Sequence, residues 1–243
     1  MKTAILGAAG RMGKMLVAMA EECGMEVVAK VDVLDGYDKT WEGSGAEAIV
    51  DFSFHAAVPG NVAKAAKEGI PYVIGTTGLT PAEQEAVDAA AKKIPVVQSG
   101  NYSLGINLLI GLVRKAAAML GPGYDIEVVE MHHRHKKDAP SGTALMLAKA
   151  AAEGRGVDFA KNAVFGRSGE TGERSADEIA VHALRGGSVV GDHTVMFAGD
   201  LERVELVHKA QDRAAFAAGA LKAAAWAAGK APGLYTMRDV LGL

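Results

Sequence analysis

Hydrophobic and polar positions along the first hundred residues alternate between two periods. Short apolar runs at residues 3–6, 26–32, 48–52, 72–75 and 94–98 read as strands, and residues 11–22, 56–68 and 81–92 carry the helical repeat, the first with Met12, Met15, Leu16 and Met19 on one face. Thr80 with Glu83 three residues on is a capping box that opens the third helix. Strands alternating with helices predict a parallel sheet with helices on both faces. Beyond Asn101 the pattern changes. Residues 104–119 form a long apolar helix, residues 125–131 alternate apolar and charged positions as a half-buried strand does, and residues 143–153 are helical again. Strand signals then crowd residues 179–184, 188–191, 193–197 and 203–208, with Arg185-Gly186-Gly187 as a tight-turn signal. This second pattern predicts a domain built on a mixed or antiparallel sheet. Residues 154–175, rich in glycine and charge, read as a mobile loop; residues 214–228 as an alanine-rich helix; residues 229–243 as a tail.

Composition narrows the picture without deciding it. The 243 residues allow one large or two modest domains, and 49% hydrophobic content is enough for a sizeable core. A net charge of −3 gives no global reason to expect nucleic-acid binding. The single cysteine, Cys23, excludes an internal disulfide and fits a reducing compartment. No signal-peptide pattern precedes the first strand, and no apolar run reads as a charge-free membrane span. The expectation is a cytoplasmic, soluble protein with no membrane partner.

Candidate chemistry begins at Gly7-Ala8-Ala9-Gly10-Arg11-Met12-Gly13, between the first strand and the first helix. Glycines there let the backbone approach a pyrophosphate, and the helix that follows directs its free amides and dipole at the phosphates. Asp32, nineteen residues after Gly13 at the end of the second strand, is placed to accept hydrogen bonds from ribose hydroxyls. The spacing is GxxGxxG rather than GxGxxG, and an ordinary βα turn is the bland alternative; flanking elements and the acid favour dinucleotide binding. An acid at Asp32 favours NADH over NADPH, because it would repel a 2′-phosphate, while Lys30 and Lys39 are close enough in sequence to meet one. Gly75-Thr76-Thr77-Gly78 and Ser99-Gly100-Asn101-Tyr102 follow later strands, at the carboxyl edge where open α/β sheets bind ligands.

The densest chemistry is Glu130-Met131-His132-His133-Arg134-His135-Lys136-Lys137-Asp138-Ala139-Pro140-Ser141-Gly142-Thr143. Three histidines and three cations in six residues repel one another, so the fold gains little from them. A zinc site is disfavoured, because cations are interleaved and no thiolate or further histidine pair has ligand spacing. A solvated basic loop is the bland reading, and a nucleic-acid patch would want stacking aromatics. The functional reading is a general acid joined to an anion clamp. Histidine titrates near neutrality, lysine carries full charge, and Ser141-Gly142-Thr143 opens a helix able to receive a carboxylate.

This segment resembles the signature of the dihydrodipicolinate reductase (4-hydroxy-tetrahydrodipicolinate reductase) family. The resemblance extends to residues 7–13, Asp51-Phe52-Ser53, residues 75–78, Gly100-Asn101-Tyr102-Ser103 and the C-terminal Gly233-Leu234-Tyr235-Thr236-Met237-Arg238-Asp239-Val240-Leu241, nearly the whole chain. It implies an α/β architecture: a Rossmann-like dinucleotide-binding domain (1–102 and 216–243) and a central α+β domain with a mixed sheet (103–215) for substrate binding and homotetramer assembly. It implies NADH- or NADPH-dependent reduction of a cyclic dicarboxylate imine in lysine and diaminopimelate biosynthesis. Hydride goes to ring carbon four, with loss of the hydroxyl, and the enamine is then protonated. By the motif, His132 is the proposed acid and Lys136 the second proton donor, and two neighbouring cations would make that ammonium a readier donor. His133, Gly142 and Thr143 correspond to substrate-binding positions. Gly7, Ala8, Ala9, Gly10, Arg11, Met12, Asp32, Gly75, Thr76, Thr77, Ser99, Gly100, Asn101 and Tyr102 correspond to cofactor-binding positions. Many members have arginine where Val33 stands here, which argues against a strong NADPH preference. Hinges near Ser103 and Asp212 would let the domains close and exclude water. Another nicotinamide-dependent dehydrogenase, a cofactor sensor without turnover, and a nucleic-acid binder are the rival functions.

Overall fold

The apolar runs of the first hundred residues become the strands of one sheet in the computed structural model, which describes residues 1–243. The chain divides into two units, residues 1–104 with 213–243 and residues 105–212. In the first unit β1 (Lys2–Leu6), α1 (Arg11–Met19), β2 (Glu26–Val31), β3 (Ala48–Asp51), α2 (Val58–Glu68), β4 (Tyr72–Ile74), α3 (Pro81–Ala91) and β5 (Pro95–Gln98) follow one another. α3 begins at Pro81 behind the Thr80–Glu83 capping box, as the sequence predicts. The second unit holds most of α4 (Leu104–Leu120), then β6 (Asp125–His132), α5 (Gly142–Arg155), α6 (Phe159–Asn162), β7 (Ala163–Phe165), β8 (Ile179–Arg185), β9 (Asp192–Ala198) and β10 (Arg203–Lys209). α7 (Ala214–Ala227), β11 (Gly233–Tyr235) and α8 (Met237–Leu241) then complete the first unit.

The first sheet has order β11-β5-β4-β3-β1-β2 and every pairing is parallel. Its reversal point lies between β1 and β3, where a crevice opens at the carboxyl ends of the strands. One face packs Ile5, Val50, Val73 and Val97 against α1 and the small-residue face of α7. The other packs Ile49, Tyr72, Ile74 and Val96 against α2 and α3. Each fully buried aliphatic side chain contributes roughly 1.5–3 kcal/mol, and these strands supply them on both faces. The C-terminal segment, read as a tail, instead adds β11 beside β5 and a helix capped by Thr236 and Asp239.

The second sheet has order β10-β9-β6-β8-β7 and is mixed: β6–β8 and β7–β8 run parallel, β6–β9 and β9–β10 antiparallel. Its inner face carries Ile126, Val128, Val195 and Phe197 against Leu109, Val113 and Leu147 of the helices. Further expectations need correction. Residues 188–191 are not a strand, and the turn at Arg185–Gly187 does not join neighbouring strands. The chain must pass over the end of β6 to reach β9 on its far side, and it spends residues 186–191 doing so, pinned by Gly186 N to His132 O (3.0 Å) and Arg134 N to Gly187 O (3.2 Å). Residues 154–175 are not a bare loop; they include α6 and β7, and Arg167 and Arg174 tie the segment to Glu127 on β6. Finally, Leu104–Gly123 is long and apolar enough to cross a membrane by length and composition alone. Its Leu109–Val113–Ala117 stripe lies in a protein core and Arg114 pairs with Glu153 at 2.8 Å, which is how a core helix of a globular protein is also built.

Candidate active site

The crevice of the first unit starts where β1 turns into α1. Gly7 has φ +77°, and a Cβ there would stand 2.3 Å from Phe52 O; a Cβ on Gly13 would stand 2.1 Å from Gly7 O. Both positions therefore exclude side chains, and the loop folds tightly over the helix start. The amides of Gly7 and Ala8 donate to Val31 O, that of Gly10 to Gly7 O, and that of Ala9 to the Asp32 carboxylate at 3.0 Å. The loop is thus braced from within. The amides left for an anion belong to the first turn of α1, at Arg11 and Met12, which has no side-chain cap and no acid. These features fit a pyrophosphate.

A trough runs from here along the strand ends. One part, of about 450 Å³, lies between Asp32, Val33, Lys39 and Phe54; a second, of about 480 Å³, between Arg11, His55, Thr76 and Thr77; the two share Gly10, Phe52, Ser53 and Phe54. A third part, about 180 Å³, is walled by Met12, Gly75, Ser99, Gly100, Asn101 and Tyr102. All fourteen residues assigned to the cofactor by the motif belong to this unit, but several support the loops rather than present themselves. Ser99 Oγ donates to Asn101 O (2.7 Å), and Asn101 Oδ1 accepts from Ser103 N (2.8 Å). Tyr102 is buried, and its hydroxyl donates to Ile74 O and Val97 O, locking β4 to β5. Burial pushes that phenol well above its ordinary range.

Sequence reasoning missed the hub beneath the trough. Asp51, fully buried at the end of β3, accepts from Ser53 N (2.8 Å), Ser53 Oγ (2.6 Å), Thr76 Oγ1 (2.9 Å), Asn61 Nδ2 (3.3 Å) and Tyr72 Oη. It joins the loop after β3 to the loop after β4. Burial, and then Asp51 beside it, hold the Tyr72 phenol well above its ordinary value. Of the two candidate lysines, Lys39 stands at the Asp32 end, donating to Val33 O (3.0 Å) and Leu34 O (2.6 Å). Lys30 borders a separate depression beside Glu21 and Met25.

The histidine–lysine segment lies in the second unit, at the carboxyl end of β6. Strand alternation puts Ile126, Val128 and Glu130 on one face, so a carboxylate takes the position where another apolar residue would sit, and Glu130 is fully buried. It accepts from Arg185 Nη1 (2.8 Å) and Nη2 (2.9 Å), from Ser141 N (2.9 Å) and from His132 Nδ1 (2.6 Å). Burial alone would raise the carboxyl, but the hydrogen bonds from Arg185, His132 and Ser141 outweigh it and hold Glu130 below the usual carboxylate range. Parallel register places Arg185 opposite His132, and antiparallel register places His193 opposite Glu130.

His193 is buried, pairs Nε2 with Ser141 Oγ (3.1 Å), and lies edge-on to His132 with ring centroids 5.2 Å apart. Burial, with His132 nearby, pushes His193 down to about 4. Lys136 Nζ grips Asp138 at 2.9 and 2.8 Å, so an anion rather than the expected cations lies against the ammonium. His133 and His135 follow the strand end with ring centroids 6.2 Å apart. Ser141 caps α5 through Ala144 N (3.2 Å), which commits its hydroxyl, and Gly142 and Thr143 form the first turn.

The chain matches family models along almost all its length: "Dihydrodipicolinate reductase, N-terminus" over residues 1–102 and "Dihydrodipicolinate reductase, C-terminus" over 105–241. It is 49% identical over 265 residues to 4-hydroxy-tetrahydrodipicolinate reductase of Rhodopseudomonas palustris strain BisB18, covering 100% of this chain and 98% of that protein. It is 48% identical over 263 residues to the enzyme of that name from Thiobacillus denitrificans, with coverage of 100% and 98%. In fold it is similar to dipicolinate-bound dihydrodipicolinate reductase from Paenisporosarcina sp. TG-14, with a TM-score of 0.79 and 24% identity over 98% of each chain. It is more distantly similar to scyllo-inositol dehydrogenase from Lactobacillus casei, with a TM-score of 0.59 and 10% identity over 99% and 91% of the chains. Both halves carry the same identification, and this chain belongs to the dihydrodipicolinate reductase (4-hydroxy-tetrahydrodipicolinate reductase) family.

Proposed function

We propose that this chain reduces 4-hydroxy-tetrahydrodipicolinate to tetrahydrodipicolinate in lysine and diaminopimelate biosynthesis, using NADH in preference to NADPH. The observation that carries this reading is the gathering of His132, Lys136 and the start of α5 at one end of the mixed sheet. The cofactor domain, expected as 1–102 with 216–243, is the first unit (residues 1–104 with 213–243), and the second unit (residues 105–212, expected as 103–215) binds the dicarboxylate and assembles the homotetramer.

A bound reduced nicotinamide supplies the hydride. The first-turn amides of α1 hold the pyrophosphate. Asp32 receives the ribose hydroxyls on the acceptor capacity left after Ala9 N and Leu34 N. Lys39, which lines the Asp32 end of the trough, would meet a 2′-phosphate, which makes NADPH the weaker but usable alternative. The residues 75–77 and 99–102 border the far end of the trough. In the other unit, His133 and the first turn of α5, Gly142 and Thr143, take substrate carboxylate charge. Loss of water and gain of hydride at carbon four leave an enamine, and His132 or Lys136 delivers the proton that completes the reduction.

A coupled assay tests the whole reading. The preceding synthase generates substrate from pyruvate and aspartate semialdehyde, and oxidation of NADH or NADPH is followed. Fast oxidation that depends on the synthase is expected, with the larger kcat/KM for NADH. Folded protein that binds dinucleotide yet oxidises neither cofactor would leave a sensor or another dehydrogenase as the better account.

A further inference from the structure

We propose that Glu130, held by Arg185, is the positioning residue for both proton donors: it fixes the His132 ring with Nε2 as its exchanging atom. The inference rests on the reductase reading for its kinetic consequence, but not for its structural one. An ionised carboxylate only accepts, so the 2.6 Å contact requires the hydrogen to be on His132 Nδ1. Nε2 is then the nitrogen free to carry and release a second proton. Its surroundings are kept clear: a Cβ on Gly191 would stand 3.0 Å from Nε2, and that position has none. His193, edge-on to the ring, is held neutral and adds no competing charge.

The same carboxylate reaches the second donor. Arg185 spans both Glu130 oxygens and also donates from Nη2 to Asp138 O at 2.7 Å, while the Asp138 carboxylate grips Lys136 Nζ. One buried acid therefore sets the His132 tautomer and, through Arg185, the backbone of the residue that holds Lys136. Ser141 N on the third Glu130 contact ties the start of α5 to the same point. Bidentate geometry fixes direction as well as distance, which a single surface ion pair does not.

Glu130→Gln alone strands the Arg185 charge and can fail to fold, so the decisive variant is Glu130→Gln with Arg185→Met, which removes both charges at similar volume. Two readouts are used. Ring nitrogen shifts in protein labelled with ¹⁵N-histidine, with His132 assigned by its loss in His132→Gln, are expected to show the Nδ1–H tautomer in the native protein. In the double variant they are expected to move toward Nε2–H. Steady-state assays of the double variant, at matched thermal stability, are expected to show kcat lower by about 100-fold or more with KM within a few-fold. An Nε2–H tautomer in the native protein, or native kcat in the folded double variant, overturns the inference. The tautomer is read without substrate. Absence of reductase activity in the native protein would therefore sink the proposed function while leaving the positioning inference to be decided by the ¹⁵N shifts.

Discussion

Strand β6 carries two glutamates three residues apart, on opposite faces, and each is held by arginine and histidine. Glu127 meets Arg167, Arg174 and His182; Glu130 meets Arg185, His132 and Ser141 N. The difference lies in where each network ends. Around Glu127 the partners close on further acids and carbonyls: Arg174 also reaches Asp125, Ile126 O and Glu178 O, and Arg167 also binds Glu178. The result fastens residues 163–178 to the sheet. Around Glu130 the network stops short, at a histidine whose second nitrogen borders the space over Gly191 and at a lysine held by the exposed Asp138. The same residue types make a structural clasp on one face and, on the other, the open edge that the proposed proton path would use. A saturated network stores stability, and an open edge leaves groups for a substrate.

The largest effects test the open edge. His132→Gln and Lys136→Ala should each lower kcat by roughly 10²–10⁴-fold while KM moves little, if both serve the proposed proton delivery in the transition state. Native kcat in either variant would remove that residue from the path. Glu127→Gln should do the opposite. It leaves kcat within about two-fold but costs about 2–3 kcal/mol, the scale of breaking a charged, largely buried pair, and lowers the melting temperature by several degrees. A tenfold loss of kcat with native stability in Glu127→Gln would erase the contrast between the faces.

The sequence made the first unit legible because its information is local: period, capping box and glycine spacing all act within about a dozen residues. The histidine segment stood out in the same way, through residues adjacent in sequence. What stayed hidden depends on pairing across the chain. Nothing near residues 186–191 says that β6 will lie between β8 and β9, so valines at 189 and 190 read as strand. Arg167 and Arg174 look like solvated loop charges until Glu127, 40 and 47 residues earlier, is brought beside them. One signal was available. In residues 125–131 the apolar alternation slips at Val128-Val129, which leaves Glu130 on the inner face with Ile126 and Val128. A carboxylate on a core register is the kind of departure from the pattern that points to a candidate site.

The contrast between saturated and open acids extends to the first unit. Asp51 takes five donors and Asp32 two, from Ala9 N and Leu34 N. Asp32→Ala should therefore raise KM for NADH about tenfold, the scale of one or two lost charged hydrogen bonds, and affect NADPH less. Equal losses for the two cofactors would assign Asp32 to bracing the glycine loop, as Asp51 braces the loops after β3 and β4.

The smallest effect separates the two faces of β6 by pH. Burial pushes His193 from 6.5 to about 4, so the unfolded chain takes up its proton first as pH falls. Its contribution is complete above pH 6.5 and is lost between 6.5 and 4. Glu127 behaves as a depressed acid: burial opposes ionisation, but Arg167, His182 and Arg174 bring it from 4.5 down to about 2. Its contribution is present above 4.5 and is lost between 4.5 and 2. Each is worth up to about 3 kcal/mol over its full window, and about 1 kcal/mol from His193 between pH 7 and 5.5. Urea unfolding of the native protein and of His193→Gln at pH 7, 5.5 and 4.5 reads this directly. The native protein should lose more stability than the variant over the first step. Parallel losses in the two would mean that His193 accepts a proton in place, and that the neutral edge beside His132 does not exist.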